Sequence, residues 1–354
     1  MVQMIPSLNG LRAISIFAVL ISHVQDRSLH LPTSSGGQIG VNIFFVISGF
    51  LITLLLMKEE ERNGRISLRD FFIRRSLRIF PVYFLLLLVY FILHNLSILN
   101  IPAGSWLTSL TYTRYFYAGE WETGHLWSLS VEEHFYLIWP FVFVYLKRRR
   151  VAFAWAIIII IPVVRLFTNI SFMHHMFSRG DAIMWGCVFA MYHKPLIRFI
   201  KTKPAYLMVL PFVLLLCCLA SKKIFHVVGN DGTLYHVLQA FAGSYGTITN
   251  ICVGFITLIS INYKHNLYYK FLNTGLMHHI GVLSYSIYIW QQLFFSYEIG
   301  SLSMFPYNIV LIFVVAIISY YLLEQPFLRL KRHFIKQKTL DEEATAVAVL
   351  NTTH

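Results

Sequence analysis

Over 354 residues the chain is 57% hydrophobic and only 13% charged, and 16% of it is aromatic. A soluble domain carries roughly 25% charged residues, so a water-soluble globular class is excluded and interfacial aromatic belts are expected. The formal net charge of +13 would suggest nucleic acid in a soluble protein, but here the basic residues must first be tested for membrane sidedness.

A membrane-crossing helix needs about 20 mostly apolar residues. Ten such stretches occur, at 8–25, 39–57, 79–98, 126–146, 151–169, 181–193, 205–221, 244–262, 277–297 and 304–324. They predict an all-α fold, a polytopic transmembrane helical bundle of about ten spans. The first stretch has no small-residue cleavage site and carries Arg12 near its start, which reads as a retained span. The second holds "GVNIFFVISGFLIT", where Gly40, Ser48 and Gly49 suit close approach of another helix or of a ligand.

Sidedness follows from Lys and Arg. Seven lie in "KEEERNGRISLRDFFIRRSLR" after the second span, four in 147–150, four in 194–203, two in 264–270 and five in 329–338. With Arg12 these are 23 of the 29 basic residues, all at alternate connections or at the ends. Both termini are therefore predicted to be cytoplasmic, and nucleic acid drops out as a partner. Residues 1–330 read as one membrane domain and 331–354 as a short cytoplasmic tail. The outer connection around 95–125 is amphipathic and aromatic, and should lie on the bundle. Cys187, Cys217, Cys218 and Cys252 sit in apolar runs without zinc spacing, so no metal is expected.

Ionisable residues at membrane depth cost about 2.5–3.5 kcal/mol on insertion scales and usually carry function. Arg12 and His23 are eleven residues apart, which is three helical turns plus about 20°, so they project from one face about 16 Å apart along the axis. On spacing alone this is either a functional face, or an Arg reaching headgroups beside a His bonded between helices. Arg74, Arg75 and Arg78 lie three and four apart where a helix would enter the membrane. They are either forks for phosphate or a plain positive-inside anchor. Glu132 and Glu133, with His125 and His134, could serve acid–base chemistry or cap the fourth span.

Taken in order, "LNGLRAISIFAVLISHV", "GVNIFFVISGFLIT", "RRSLRIFPVY", "HLWSLSVEEHFYLIWP", "RGDAIMWG", "LSYSIYIWQQ" and "LEQPF" resemble the acyltransferase type 3 family. These are bacterial integral-membrane O-acyltransferases that modify polysaccharides and other surface molecules. The resemblance implies a multi-pass protein of the bacterial inner (cytoplasmic) membrane, with the lipid bilayer as its surroundings. It implies that an acyl group, usually acetyl, passes from cytoplasmic acyl-CoA to a hydroxyl of a surface or lipid-linked glycan. Acetyl-CoA is then a donor substrate, and no cofactor is permanently bound.

The same resemblance implies that His23 is the essential histidine, with Arg12 its partner. It implies that Arg75 and Arg78, with Arg74 beside them, serve the donor. Glu132 matches the family's acidic position, and Arg179 and Asp181 its later R-x-D element, in a substrate-binding or structural polar role. Asp26, one turn on from His23, or Glu132 could orient the imidazole. One departure stands out: many relatives read Y-x-W-H near the penultimate span, whereas this chain has Trp290–Gln291. Some members carry an added esterase-like soluble domain, which is not expected within these 354 residues. Outside this family, a polytopic transporter or flippase for a lipid-linked glycan would also bury Arg, Asp and His. The lack of an internal repeat and the clustering of Arg on the donor side weigh against it.

Overall fold

A computed structural model describes residues 6–28, 36–117, 120–167, 176–202, 208–218, 246–263 and 266–330. Among them the chain is helical throughout, with no strand. The helices are α1 (Pro6–His23), α2 (Gly36–Asn63), α3 (Leu68–Asn95), α4 (Ala103–Leu110), α5 (Leu126–Tyr145), α6 (Arg150–Phe167), α7 (Met176–Met191) and α8 (His193–Lys201). After the short helical stretch 210–218 come α9 (Thr247–Asn262), α10 (Leu267–Leu272), α11 (Gly275–Phe294) and α12 (Tyr307–Ser319). Among the described residues, four helical runs are long and apolar enough to cross a membrane: Ser7–Ser28, Gly36–Asn63, Leu68–Asn95 and Tyr307–Leu330. The 16-residue α9 is apolar but shorter. The two ends of the stretch 205–221, residues 205–207 and 219–221, and the whole of 331–354 lie outside the described residues.

Helix α3 begins at Leu68, well before the apolar stretch predicted from residue 79. The Ser67 side chain accepts a hydrogen bond from the Asp70 amide at 3.3 Å, and Asp70 adds an acidic group to the first turn. Both features favour a helix start at that point. Because α2 continues to Asn63, the connection shrinks to residues 64–67. Arg74, Arg75 and Arg78 therefore ride on the same rigid helix as the span that follows.

The bundle centres on α1, which lies between α2 and α11, and small residues let the backbones approach. A Cβ on Gly40 would come within 2.6 Å of the Ser15 carbonyl, one on Gly49 would collide with the Ile183 carbonyl of α7, and one on Gly186 would collide with the Val46 carbonyl of α2. The glycines of "GVNIFFVISGFLIT" thus belong to helix packing, while Ser48 between them reaches α5, donating to Glu132 at 2.6 Å. The connection between α3 and α5 is pinned to the bundle by two buried phenols. Tyr83 donates to the Ser109 carbonyl at 2.7 Å and Tyr90 to the Glu122 carbonyl at 2.8 Å. At the far end a π-helical turn, Tyr320–Glu324, continues α12 and buries Glu324, which accepts a hydrogen bond from Ser286.

Candidate active site

Four of the ionisable residues singled out in the sequence meet in one cavity. Arg12 of α1, Arg75 and Arg78 of α3 and Glu132 of α5 line a space of about 770 Å³, counted with its open mouth. Ser48, Ser128, Ser284, Tyr285 and Tyr288 add hydroxyls to a wall otherwise built of Phe, Leu, Ile and Val. Arg12 Nε donates to Ser284 Oγ of α11 at 3.1 Å. The Arg75 guanidinium lies 3.6 Å over the Tyr136 ring, a cation–π contact that holds the fork on a rigid aromatic face. Three guanidiniums face one carboxylate in the wall. That excess of positive charge, in an apolar pocket open at one end, suits a ligand carrying several anionic groups.

Arg74 does not join them. One residue is about 100° of helix, and that turn sends Arg74 to Glu59 of α2 in a 2.8 Å ion pair. The buried carboxylate of "LEQPF", Glu324, is by contrast close enough to Arg78 and Arg12 to feel their charges.

His23 lies beyond the cavity, at the end of α1. Its Nδ1 is 2.5 Å from Gln291 Oε1 of α11. The imidazole makes edge contacts with Trp121 and Phe295, with centroids 5.2 and 5.7 Å away. The shared face of Arg12 and His23 is the face turned to α11, where their partners Ser284 and Gln291 are seven residues, about two turns, apart. Tyr288 lies between them on the same face. Its hydroxyl is 2.6 Å from Ser128 Oγ and donates to the His125 carbonyl at 3.1 Å. Ser284, Tyr288 and Gln291 thus form a polar line along α11 from the arginine cavity to the histidine.

Neither carboxylate that the sequence offered as a support for the imidazole is bonded to it. Glu132 accepts from Ser48, and Asp26 acts on His23 only through its charge. The partner is Gln291. In the sequence, the one available signal was the i, i+4, i+7 spacing of polar residues in "LSYSIYIWQQ". His134 bonds to the carbonyl one turn back, Ser130, at 2.7 Å, and buried His125 is 3.1 Å from the Ile289 carbonyl.

Arg179 and Asp181 line a different place, a buried polar network joining α2, α6, α7 and α9. Arg165 of α6 forms an ion pair with Asp181, both side chains almost fully buried. Asn250 donates to Asp181 and Asn42 to Asn250, each at 3.2 Å, and Arg179 donates to Asn42 at 3.0 Å. This network ties helices together rather than facing the cavity.

An acyltransferase domain matches residues 5–324, a range that runs from just before Arg12 to Glu324. The chain belongs to the acyltransferase type 3 family. The peptidoglycan O-acetyltransferase OatA of Listeria monocytogenes is 28% identical over 331 residues, covering 81% of this acyltransferase chain and 49% of that protein. The O-acetyltransferase OatA of Staphylococcus aureus is 28% identical over 356 residues, covering 91% and 57%. The chain therefore spans about half the length of the curated relatives it matches. No solved structure matches it.

Proposed function

We propose that this acyltransferase moves an acetyl group from cytoplasmic acetyl-CoA to a hydroxyl of a cell-envelope glycan, surface-exposed or lipid-linked, with His23 as the base. The observation that carries this reading is the joining of two sites by one helix face. Arg12, Arg75 and Arg78 share a cavity, and the same side of α11 that holds Arg12 also holds His23. The names of the relatives, one of them specific to peptidoglycan, support a glycan acceptor and acetyl as the group moved.

In this reading Arg75 and Arg78 hold the phosphates of the donor. Its thiol arm then follows Ser284 and Tyr288 toward His23. His23 takes the proton of the acceptor hydroxyl, whose oxygen bonds to the acetyl carbon as the carbon–sulfur bond breaks. The thiolate leaves with the proton that the imidazole returns. The bundle crosses the bacterial cytoplasmic membrane about ten times with both ends inside, as the one-sided distribution of Lys and Arg supports. A reporter fused after Lys338 should read cytoplasmic and one inserted near Ser105 external, and the reverse pattern at either point would overturn that orientation.

The donor site has its own test. Arg78→Lys keeps the charge that sets orientation but loses the forked geometry. It should raise the apparent KM for acetyl-CoA about tenfold, equivalent to about 1.4 kcal/mol, with normal amounts of protein in the membrane. An unchanged donor KM in both Arg75→Lys and Arg78→Lys would return the pair to the role of a topological anchor.

A further inference from the structure

We propose that Gln291 is a positioning residue that holds His23 in the tautomer with the proton on Nδ1, leaving Nε2 as the basic nitrogen. The inference rests on the reading of His23 as the base and goes beyond it, by fixing which ring nitrogen is basic and what makes it so.

The Trp121 carbonyl can only accept, and Gln292 lies against it with Nε2 at 2.7 Å. The reverse contact, Trp121 Nε1 donating to the Gln292 carbonyl at 3.0 Å, locks the two residues together. With its amide nitrogen committed, Gln292 turns Oε1 toward Gln291, whose Nε2 is 3.5 Å away. Flipping the Gln291 amide would set two carbonyl oxygens against each other there. Gln291 therefore presents Oε1 to His23, at 2.5 Å from Nδ1, and an amide oxygen accepts only from a protonated ring nitrogen.

The chain Trp121–Gln292–Gln291–His23 thus transmits the fixed polarity of one peptide bond to the imidazole. Among the described residues Nε2 has no hydrogen-bond partner, which leaves its lone pair for an acceptor hydroxyl. The aromatic edges of Trp121 and Phe295 hold the ring in plane for this bond. An amide oxygen supports the imidazole without placing a second negative charge beside it. The charged and titratable groups facing His23 are Asp26 and Arg27 from the turn that continues α1, and His125 beside α5. None of them makes a hydrogen bond to the ring among the described residues.

The tautomer can be read without substrate. Protein labelled with ¹⁵N-histidine carries fifteen histidines, and subtraction of the His23→Gln spectrum isolates the two nitrogens of His23. Nδ1 should resonate in the protonated range and Nε2 in the bare range, and Gln291→Leu should give a mixture of tautomers. In turnover, Gln291→Leu should lower kcat about 10- to 100-fold, as loss of an orienting partner does elsewhere, with the KM for acetyl-CoA within about twofold. Gln291→Glu keeps the acceptor but adds a charge that favours imidazolium, so the acid limb of its pH–rate profile should move up by about one unit.

A bare Nδ1 in the native protein, or a Gln291→Leu variant with unchanged tautomer and kcat, would overturn the proposal. If Gln291→Leu fails to accumulate in membranes, Gln291→Glu decides, and an acid limb that stays in place counts against the relay. The expected tautomer in a protein whose His23→Gln variant is still active would spare the relay and remove the base.

Discussion

His23→Gln should cut acetyl transfer by about 100- to 10,000-fold, the usual contribution of a positioned general base, while leaving the amount of protein in the membrane unchanged. The substitution is chosen to separate chemistry from packing. A glutamine at this site can still exchange a hydrogen bond with Gln291 and fill the space beside Trp121 and Phe295, but it cannot take up a proton. A histidine that only joined α1 to α11 would tolerate the change. The measurement is acetylated glycan per unit of inserted protein, and near-normal output would leave Glu132, the one acidic side chain in the cavity wall, as the group around which the chemistry must be rebuilt.

The second large effect is on stability rather than catalysis. Asp181→Leu removes the carboxylate that faces Arg165 inside the bundle, and breaking a buried ion pair from one side costs about 3–5 kcal/mol. The variant should lose most of its membrane abundance and unfold earlier in detergent. Arg165→Met combined with Asp181→Leu replaces both charges by apolar groups, and should recover much of the loss, because the desolvation cost of the pair disappears with the pair. If the double variant folds well yet has lost acetyl transfer, the network that also holds Asn42 and Arg179 has a part in turnover. Recovery of both folding and transfer would make its role structural.

How much of this was legible in the sequence differs from residue to residue. The common face of Arg12 and His23 follows from helical periodicity alone, because eleven residues nearly close three turns whatever surrounds them. The same local rule places Arg75 and Arg78 on one side of a helix. It could not reveal that Arg74 is bound to Glu59, since that depends on how far α2 extends beyond its apolar stretch. Helix α3 starts further back than the apolar stretch from residue 79, because the Ser67 cap and Asp70 begin the helix in a basic, polar stretch that hydropathy alone does not mark. The role of Gln291 was hidden for a different reason. Its partner lies 268 positions away, and a neutral amide in an apolar run gives no charge signal, only its i, i+4, i+7 spacing with Ser284 and Tyr288. Its place where relatives often have histidine also sets it apart. Likewise the pairing of Arg165 with Asp181 joins two helices and is a tertiary fact that no local rule supplies.

The central claim is that donor and acceptor meet through the seam between α1 and α11. The most direct measurement follows label from acetyl-CoA, carrying its acetyl group radioactive, in membrane vesicles that contain the protein and an envelope glycan. Vesicles exposing the cytoplasmic face should transfer label to base-labile ester on the glycan, in amounts that saturate with donor. The same vesicles carrying His23→Gln should transfer almost none. Transfer that persists undiminished in that variant, or none at all from native protein under conditions where it is inserted and folded, would contradict the account.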